Sequence, residues 1–121
     1  MFLYSNISFP RVVFMTSTEY ASSTKANFND VVWSKTPYDK KLAFAQSKLA
    51  NILFTRQLAE KSAGTSVQTY CVDPGTPAGG GMDYRNIGSF VKGLFLLTAP
   101  EGADAVIYCC VEDKLQHHTG R

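Results

Sequence analysis

The stretch from Leu42 to Arg56 is the longest helical pattern in the chain, and it limits what the rest of the chain can fold into. Apolar residues recur there at spacings of three and four, as on one face of an α-helix. They are Leu42, Ala45, Leu49, Ile52 and Leu53. Pro37 suits a first helical turn, and Gly64 suits the left-handed residue beyond a helix end. We therefore predict one long helix from about Pro37 or Tyr38 to about Ser62.

A short apolar run lies on each side of this helix. The first, from Arg11 to Ser17, is rich in β-branched residues and does not alternate, which is typical of a parallel strand covered on both faces. The second, from Ser66 to Val72, ends at Asp73, Pro74 and Gly75. A strand, a helix and a strand form a βαβ unit, whose right-handed crossover makes the two strands parallel.

A second main helix is indicated further along the chain. Thr98 and Glu101 have the spacing of a capping box, and the helical pattern continues through Cys110. The predicted fold class is therefore α/β: part of a doubly wound parallel sheet with two main strands and two main helices.

The polar connection from Thr18 to Lys41 is longer than most loops of a compact domain. A loop of this length usually shapes a site. Its apolar residues are predicted to anchor it against the rest of the fold, and they are Phe28, Val31, Val32 and Trp33.

Composition excludes several classes of protein. The hydrophobic content of 45% with 18% charged residues indicates a globular chain, not a disordered one. Twelve basic and ten acidic residues give a net charge of only +2, without a basic run, so we expect no nucleic-acid partner. The cysteines are odd in number, and the adjacent Cys109 and Cys110 face different ways on a helix. His117 and His118 have no further ligand at a suitable spacing, so we predict neither a disulfide framework nor a metal site.

Four segments, in this order, resemble the C-terminal half of the short-chain dehydrogenase/reductase family. The resemblance is to its retinol-dehydrogenase-like branch and to the X-linked dehydrogenase/reductase relative of that branch. The segments run from Arg11 to Ser17, Ala45 to Arg56, Val72 to Gly75 and Pro100 to Ala103. The resemblance covers about residues 11–121 and leaves 1–10 as a stretch outside the family pattern. It implies part of a Rossmann fold whose first half, with the glycine-rich turn that seats the pyrophosphate, is absent from this sequence.

In that family a Ser, a Tyr and a Lys carry the reaction, and the last two are spaced Tyr-x-x-x-Lys. Positions i and i+4 share a helix face, so the ammonium lowers the pKa of the phenol. The resemblance places Ser17 at the Ser, Lys48 at the Lys and Phe44 at the Tyr position. Phenylalanine has no proton to give, so we expect the loss of a group that contributes about 10²–10⁴-fold to rate. Tyr38 cannot replace it, because it lies roughly 9 Å away along a helix axis.

The resemblance implies NAD or NADP as the cofactor and alcohol/carbonyl interconversion as the reaction. A small lipophilic alcohol or carbonyl compound would be the substrate. In the family the Lys, here Lys48, also contacts the nicotinamide ribose. Pro74, Gly75 and Thr76 match the turn beside the nicotinamide, although Asp73 replaces the His that is usual in this branch.

Two apolar stretches, residues 1–10 and 90–97, bear on where in the cell the protein is located. From Met1 to Pro10 the chain lacks the basic region and cleavage site of a signal peptide, and no run reaches the roughly 20 apolar residues of a membrane span. We therefore expect an intracellular protein, either cytoplasmic or peripherally membrane-associated. The segment from Phe90 to Leu97 could form a substrate lid, a membrane-surface contact or a subunit interface, and the resemblance favours the lid.

Three interpretations of function stay open at this point. The chain is an enzyme fragment or truncated isoform, a non-catalytic remnant that acts as an interaction module for a partner or the parent enzyme, or a truncated gene model without a stable product. Two strands with an uncovered edge make a poor sheet, so we predict that the isolated chain is unstable or oligomeric.

Overall fold

The structure is a computed structural model, and it describes residues 9–24, 26–75 and 99–121. Strand β1 (Arg11–Met15) is followed by a 3-10 helix (Thr18–Ser22), helix α1 (Lys40–Lys61) and strand β2 (Gln68–Val72). Helix α2 (Ala99–Val111) and a second 3-10 helix (Asp113–His117) complete the described elements. This order confirms the predicted α/β class with two strands and two main helices. Thr76, the predicted capping residue Thr98 and the segment from Phe90 to Leu97 lie outside the described residues.

The two strands pair in parallel, as the βαβ pattern predicts, with Arg11 opposite Gln68 and Met15 opposite Val72. Side chains alternate between the two faces of the sheet. On one face the Phe14 ring contacts that of Phe54 in α1, with 5.3 Å between centroids. On the other face Arg11 reaches the end of α2. The sheet is therefore the middle of three layers, with one helix on each side.

Helix α1 begins two to three residues later than predicted. Asp39 is the cap, because its Oδ1 accepts hydrogen bonds from the amides of Lys41 and Leu42 at 2.9 and 3.1 Å. Tyr38 and the proline before it therefore precede the helix. At the other end the prediction holds, since Gly64 follows with a left-handed φ of 84°.

The buried face of α1 is more polar than its apolar periodicity predicts. Its buried residues are Ala45, Gln46 and Thr55, whereas Leu53, predicted to face the core, is 47% exposed. The reason is the narrow sheet: the two strands in the described part of the chain cover only a thin stripe of the helix. The fully buried Thr69 holds this part of α1 against β2, because its Oγ1 donates a hydrogen bond to the Thr55 carbonyl at 3.1 Å.

β1 has a helix on each face, as predicted for a covered strand, but the cover is incomplete. Met15 is 47% exposed and Val12 is exposed on the opposite face. Among the described residues β1 pairs only with β2, so each helix leaves part of this outer strand uncovered. The far edge of β2 is different, because Gly120 donates to the Thr69 carbonyl at 2.8 Å and Cys71 donates to that of Arg121 at 2.7 Å.

Arg11 joins β1 to the C-terminal end of α2. Its Nη1 donates to the carbonyls of Cys109 and Glu112 at 3.2 and 2.9 Å, and its guanidinium lies 5.9 Å from the Tyr70 ring centroid. Helix ends leave such carbonyls without partners and favour a cation. The guanidinium of Arg11 therefore acts as a long-range cap of α2. None of the described helices combines the length and apolar character of a membrane-crossing segment.

Candidate active site

The carboxyl ends of both strands lie at one edge of the sheet, because the strands are parallel. The chain leaves this edge through Ser17 after β1 and through Pro74 after β2. Asp73 connects them: its Oδ2 accepts a hydrogen bond from the Thr18 amide at 2.6 Å, and its Oδ1 accepts one from the Gly75 amide at 2.9 Å. The carboxylate of Asp73 thus holds the loop after Ser17 against the predicted cofactor turn. Gly75 itself adopts a left-handed φ of 79°, which suits glycine.

Ser17 caps the first 3-10 helix. Its Oγ accepts a hydrogen bond from the Glu19 amide at 3.4 Å, from an extended backbone with φ −155° and ψ 146°. Among residues 9–24, 26–75 and 99–121 this hydroxyl has no acceptor for its own proton, which is therefore available to another acceptor. Ser17 could therefore still donate to a substrate oxygen at this edge of the sheet.

Phe44 and Lys48 lie one turn apart on α1, as their spacing predicts. The Lys48 Nζ is 5.2 Å from the centroid of the Phe44 ring, which is a cation–π distance. In the part of the chain that the structure describes, the Lys48 ammonium has no carboxylate or hydrogen-bond partner. A contact with a ring face uses none of the N–H donors of an ammonium, so these donors stay available to a ligand.

Two polar side chains tie this part of α1 to the end of β1. The buried Thr16 donates from Oγ1 to the Lys48 carbonyl at 3.1 Å, while its amide donates to the Val72 carbonyl at 2.8 Å. Asn51 Nδ2 donates to the Met15 carbonyl at 2.8 Å. Hydrogen bonds are directional, so these two bonds restrict how far α1 can slide along its axis relative to the end of β1. They thereby set the position of Lys48 relative to the residue that follows Thr16, which is Ser17.

Sequence reasoning assigned no role to Thr16 or Asn51. A signal for Asn51 was present, because it stands three residues after Lys48 on the same side of the helix. Nothing local pointed to Thr16, whose partner is 32 residues away.

The thiol of Cys71 lies beneath this part of the helix. Burial raises the pKa of Cys71, while hydrogen bonds from Thr55 and Thr16 and the charge of Lys48 lower it. Burial dominates, so the thiol stays protonated near neutral pH. Cys71 therefore belongs to the packing under the site and not to its chemistry.

The long loop is attached to α1 through a buried amide. Gln46 Oε1 accepts a hydrogen bond from the Asn27 amide at 2.9 Å, and its Nε2 donates to the Asn27 carbonyl at 3.4 Å. This pairing holds the loop beside the turn of α1 that carries Phe44. Tyr38 is directed elsewhere, because its ring packs edge-on against Trp33 with 5.6 Å between centroids.

The described residues bring some of the predicted site together. They place Ser17, Phe44, Lys48, Pro74 and Gly75 on the elements that meet at one edge of the sheet, and Thr76 is not described. Across residues 9–24, 26–75 and 99–121 no group of His, Cys, Asp or Glu is arranged to hold a metal ion. The three cysteines are free thiols.

Comparison with known proteins gives several related sequences. No family model matches the chain. It is 40% identical over 86 residues to "Retinol dehydrogenase 11" of Mus musculus, which covers 69% of this chain and 27% of that protein. It is 33% identical over 118 residues to "Retinol dehydrogenase 12" of Homo sapiens, with 95% and 37% covered. "Retinol dehydrogenase 14" of Homo sapiens is also 33% identical, over 121 residues.

A solved structure shares the fold. A crystal structure of an uncharacterized protein from Mycobacterium paratuberculosis matches with a TM-score of 0.62 and 27% identity, over 87% of this chain and 34% of that one. The chain spans between 27% and 37% of the length of the two retinol dehydrogenases 11 and 12. It is thus related, over part of their length, to the retinol-dehydrogenase-like branch of the short-chain dehydrogenase/reductase family.

Proposed function

We propose that residues 11–121 form the C-terminal half of an oxidoreductase domain of the short-chain dehydrogenase/reductase type, in which the acid–base step is disabled. The observation that carries this proposal is the Phe44–Lys48 pair. The ammonium lies over the ring face at 5.2 Å, so the side chain at position 44 meets the lysine where a phenol would be needed. A benzene ring at that point cannot exchange a proton.

The roles that remain follow from the polar groups at the sheet edge. In a competent site the hydroxyl of Ser17 would bind the oxygen of a lipophilic alcohol or carbonyl compound. Lys48 would bind the ribose of the cofactor through its ammonium. NAD or NADP, when bound, would supply or accept the hydride. With Phe44 in place, substrate oxygen is held but receives no proton, so turnover should fall by about 10²–10⁴-fold.

The described residues fit only one end of such a cofactor. They offer a cation at Lys48 and an open turn at Gly75. They contain no glycine-rich turn at a helix N-terminus to hold a pyrophosphate. We therefore propose weak dinucleotide binding by this chain, which calorimetry with NADH and NADPH measures.

The decisive experiment restores the phenol by Phe44→Tyr. Because Lys48 is adjacent, the phenol introduced there should ionise well below the ordinary pKa of about 10. Ultraviolet difference titration of tyrosinate measures this without cofactor or substrate. The matched control is Phe54→Tyr, since Phe54 is also exposed on α1 but lies six residues from Lys48 and so does not share its i, i+4 row.

Three results decide the assignment. Lys48→Met in the Phe44→Tyr background should return the phenol pKa to the control value. The Phe44→Tyr variant should reduce carbonyl compounds faster than the wild-type chain, whereas the Phe54→Tyr variant should not. If the wild-type chain reduces carbonyls and Phe44→Tyr gains nothing, the site assignment is wrong.

A second candidate is a non-catalytic interaction module. It is supported by the outer edge of β1, which among the described residues is flanked by exposed apolar side chains, including Val12 and Met15. Such an edge is a template for pairing with another strand. Light scattering of the purified chain separates this candidate from a monomeric domain.

A further inference from the structure

Asp73 stands directly after β2 and accepts hydrogen bonds from two different loops. Its Oδ2 accepts from the amide of Thr18, 55 residues away in the chain, at 2.6 Å, and its Oδ1 accepts from the amide of Gly75 at 2.9 Å. An ionised carboxylate accepts hydrogen bonds through both oxygens, so it matches two amides that converge on it. A neutral amide or imidazole side chain has an acceptor on one side and an N–H on the other, so neither could make both bonds.

The bond to Thr18 holds the first residue of the long loop. The prediction that apolar residues anchor this loop is wrong for three of the four residues named for that role. Those three are exposed, and they are Phe28, Val31 and Val32. None of the residues of the 3-10 helix Thr18–Ser22 is buried. The carboxylate of Asp73 is therefore a main contact at the start of the loop, as Gln46 is further along at Asn27.

Two side chains share the N-terminal end of this 3-10 helix. The Ser17 Oγ accepts from the Glu19 amide at 3.4 Å, which is long for a hydrogen bond, whereas Asp73 accepts from the Thr18 amide at 2.6 Å. Hydrogen bonds to an ionised acceptor are shorter and stronger than those between neutral groups. Asp73 therefore supplies most of the capping, and the Ser17 hydroxyl is only weakly engaged in it.

We infer that Asp73 is a positioning residue of the candidate active site. It joins the loop that carries Ser17 to the turn at Gly75, and by capping the 3-10 helix it leaves the Ser17 hydroxyl free to bind a ligand oxygen. In this role Asp73 acts through Ser17 and through the turn, without touching substrate or cofactor itself. The inference rests on the proposed function, which supplies the ligands for Ser17 and for the turn.

Asp73→Asn separates the two hydrogen bonds with little change of shape. Asn favours the local turn in which a side-chain oxygen accepts from the amide two residues later, so the bond to Gly75 should survive. The side-chain NH2 then faces the Thr18 amide, and because both groups are donors, that bond is lost. The Ser17 Oγ should take over the capping and bind the Glu19 amide more closely.

Amide hydrogen exchange, measured by NMR without cofactor or substrate, should show changes of opposite sign. In Asp73→Asn the Thr18 amide should exchange at least about fivefold faster, the Glu19 amide more slowly, and the Gly75 amide at nearly the wild-type rate. A general loosening of the loop would instead accelerate Thr18 and Glu19 together. The matched control is Asp39→Asn, which removes the same charge from the cap of α1, where Asn serves as well as Asp, and should leave all three rates unchanged.

A second measurement tests whether this position matters to a ligand. Titration with NADH, followed by amide shifts in NMR, gives dissociation constants even for weak binding. Asp73→Asn should weaken binding about threefold or more, because the turn and the Ser17 loop are no longer held together before the ligand arrives. Lys48→Met tests the proposed cofactor contact itself, and Asp39→Asn should bind NADH as the wild-type chain does.

The outcomes separate this inference from the proposed function. If Lys48→Met weakens NADH binding and Asp73→Asn does not, the positioning role is wrong and the proposed function stands. If neither variant weakens it, the proposed cofactor contact fails together with the role of Asp73 at the turn. The inference is also overturned if Asp73→Asn leaves the Thr18 exchange rate unchanged or accelerates Glu19 as well. The exchange measurement decides the capping role whether or not the chain binds NADH.

Discussion

At the scale of single residues, Thr16 joins three elements through one backbone amide and one hydroxyl. The amide pairs with β2, and the hydroxyl donates to the Lys48 carbonyl in α1. Its neighbour Ser17 is a candidate site residue, so a change at Thr16 should affect both packing and the geometry of the site.

Replacing Thr16 by Val keeps the shape of the side chain and removes the hydroxyl. The loss of a partly buried hydrogen bond should lower the free energy of unfolding by about 0.5–1.5 kcal/mol. Urea denaturation measures the change. Thr16→Ser keeps the hydroxyl and should retain the bond, so an equal loss in Thr16→Ser and Thr16→Val would show that the methyl group matters instead.

Asp30 gives a pH dependence to the part of the long loop that forms two consecutive turns over residues 27–33. Burial raises the pKa of Asp30, but hydrogen bonds from the Lys35 and Ser34 amides and from the Thr36 and Ser34 hydroxyls outweigh it and lower the pKa from 3.8 to about 2. A depressed carboxyl pKa stabilises the fold above the unfolded value, and that contribution is lost as pH falls through the folded value.

We therefore expect the Asp30 contribution to be complete above about pH 4 and to disappear towards pH 2. Carboxyl carbon shifts of Asp30, followed by NMR titration, should show the low midpoint directly. Asp30→Asn should remove this component from the pH dependence of stability between pH 4 and pH 2. An ordinary midpoint near 3.8 would contradict the hydrogen-bond geometry of the loop.

At the scale of elements, the attachment of α2 depends on a side chain from the strand beneath it. Arg11 binds the carbonyls of Cys109 and Glu112, and the side chain is almost fully buried. Its ion pair with Asp113, at 3.8 Å, involves a carboxylate whose side chain is 72% exposed. The carbonyl contacts should therefore stabilise the structure more than the ion pair does.

Arg11→Met should leave the carbonyls at the end of α2 without their partner and cost about 1–3 kcal/mol in the free energy of unfolding. Asp113→Asn should cost less than about 1 kcal/mol, because the exposed pair is screened. Guanidinium denaturation, followed by far-ultraviolet circular dichroism, compares the two variants. A larger effect of Asp113→Asn would reverse this ranking.

The elements that could be predicted are those with local signals. The period of α1 and the strand–helix–strand order indicated the fold class, and the i, i+4 spacing placed Phe44 beside Lys48. The polar contacts of α1 could not be predicted, because the partners of Gln46 and Thr55 are a distant loop and strand. Leu53 was misassigned because helical periodicity cannot show how narrow the opposing sheet is.

At the scale of the whole molecule, the two edges of the sheet differ. Gly120 and Arg121 bond to the outer side of β2, whereas the outer side of β1 has one described bond, from Asn51 to the Met15 carbonyl. Open strand edges invite pairing between molecules. The purified chain should therefore be unstable or oligomeric.

A lysine placed beside the open edge should suppress pairing. Met15→Lys is expected to shift the chain towards the monomer, because charge on an edge strand blocks strand addition. Leu53→Lys is the control, since Leu53 has the same 47% exposure but lies on α1. Size-exclusion chromatography with light scattering measures the change. A wild-type monomer with a cooperative thermal transition would rule out the expected association.

The rates at which the three free thiols of the chain are alkylated can report local opening of the structure. Cys110 is exposed, whereas Cys71 and Cys109 are half-buried beneath α1 and beside Arg11, and burial raises the pKa of both. Alkylation should therefore modify Cys110 first. The rate at Cys71 would report how often α1 lifts from the sheet, and the rate at Cys109 how often the end of α2 separates from β1. One mass-spectrometric time course would thus rank the two helix attachments by their lifetimes.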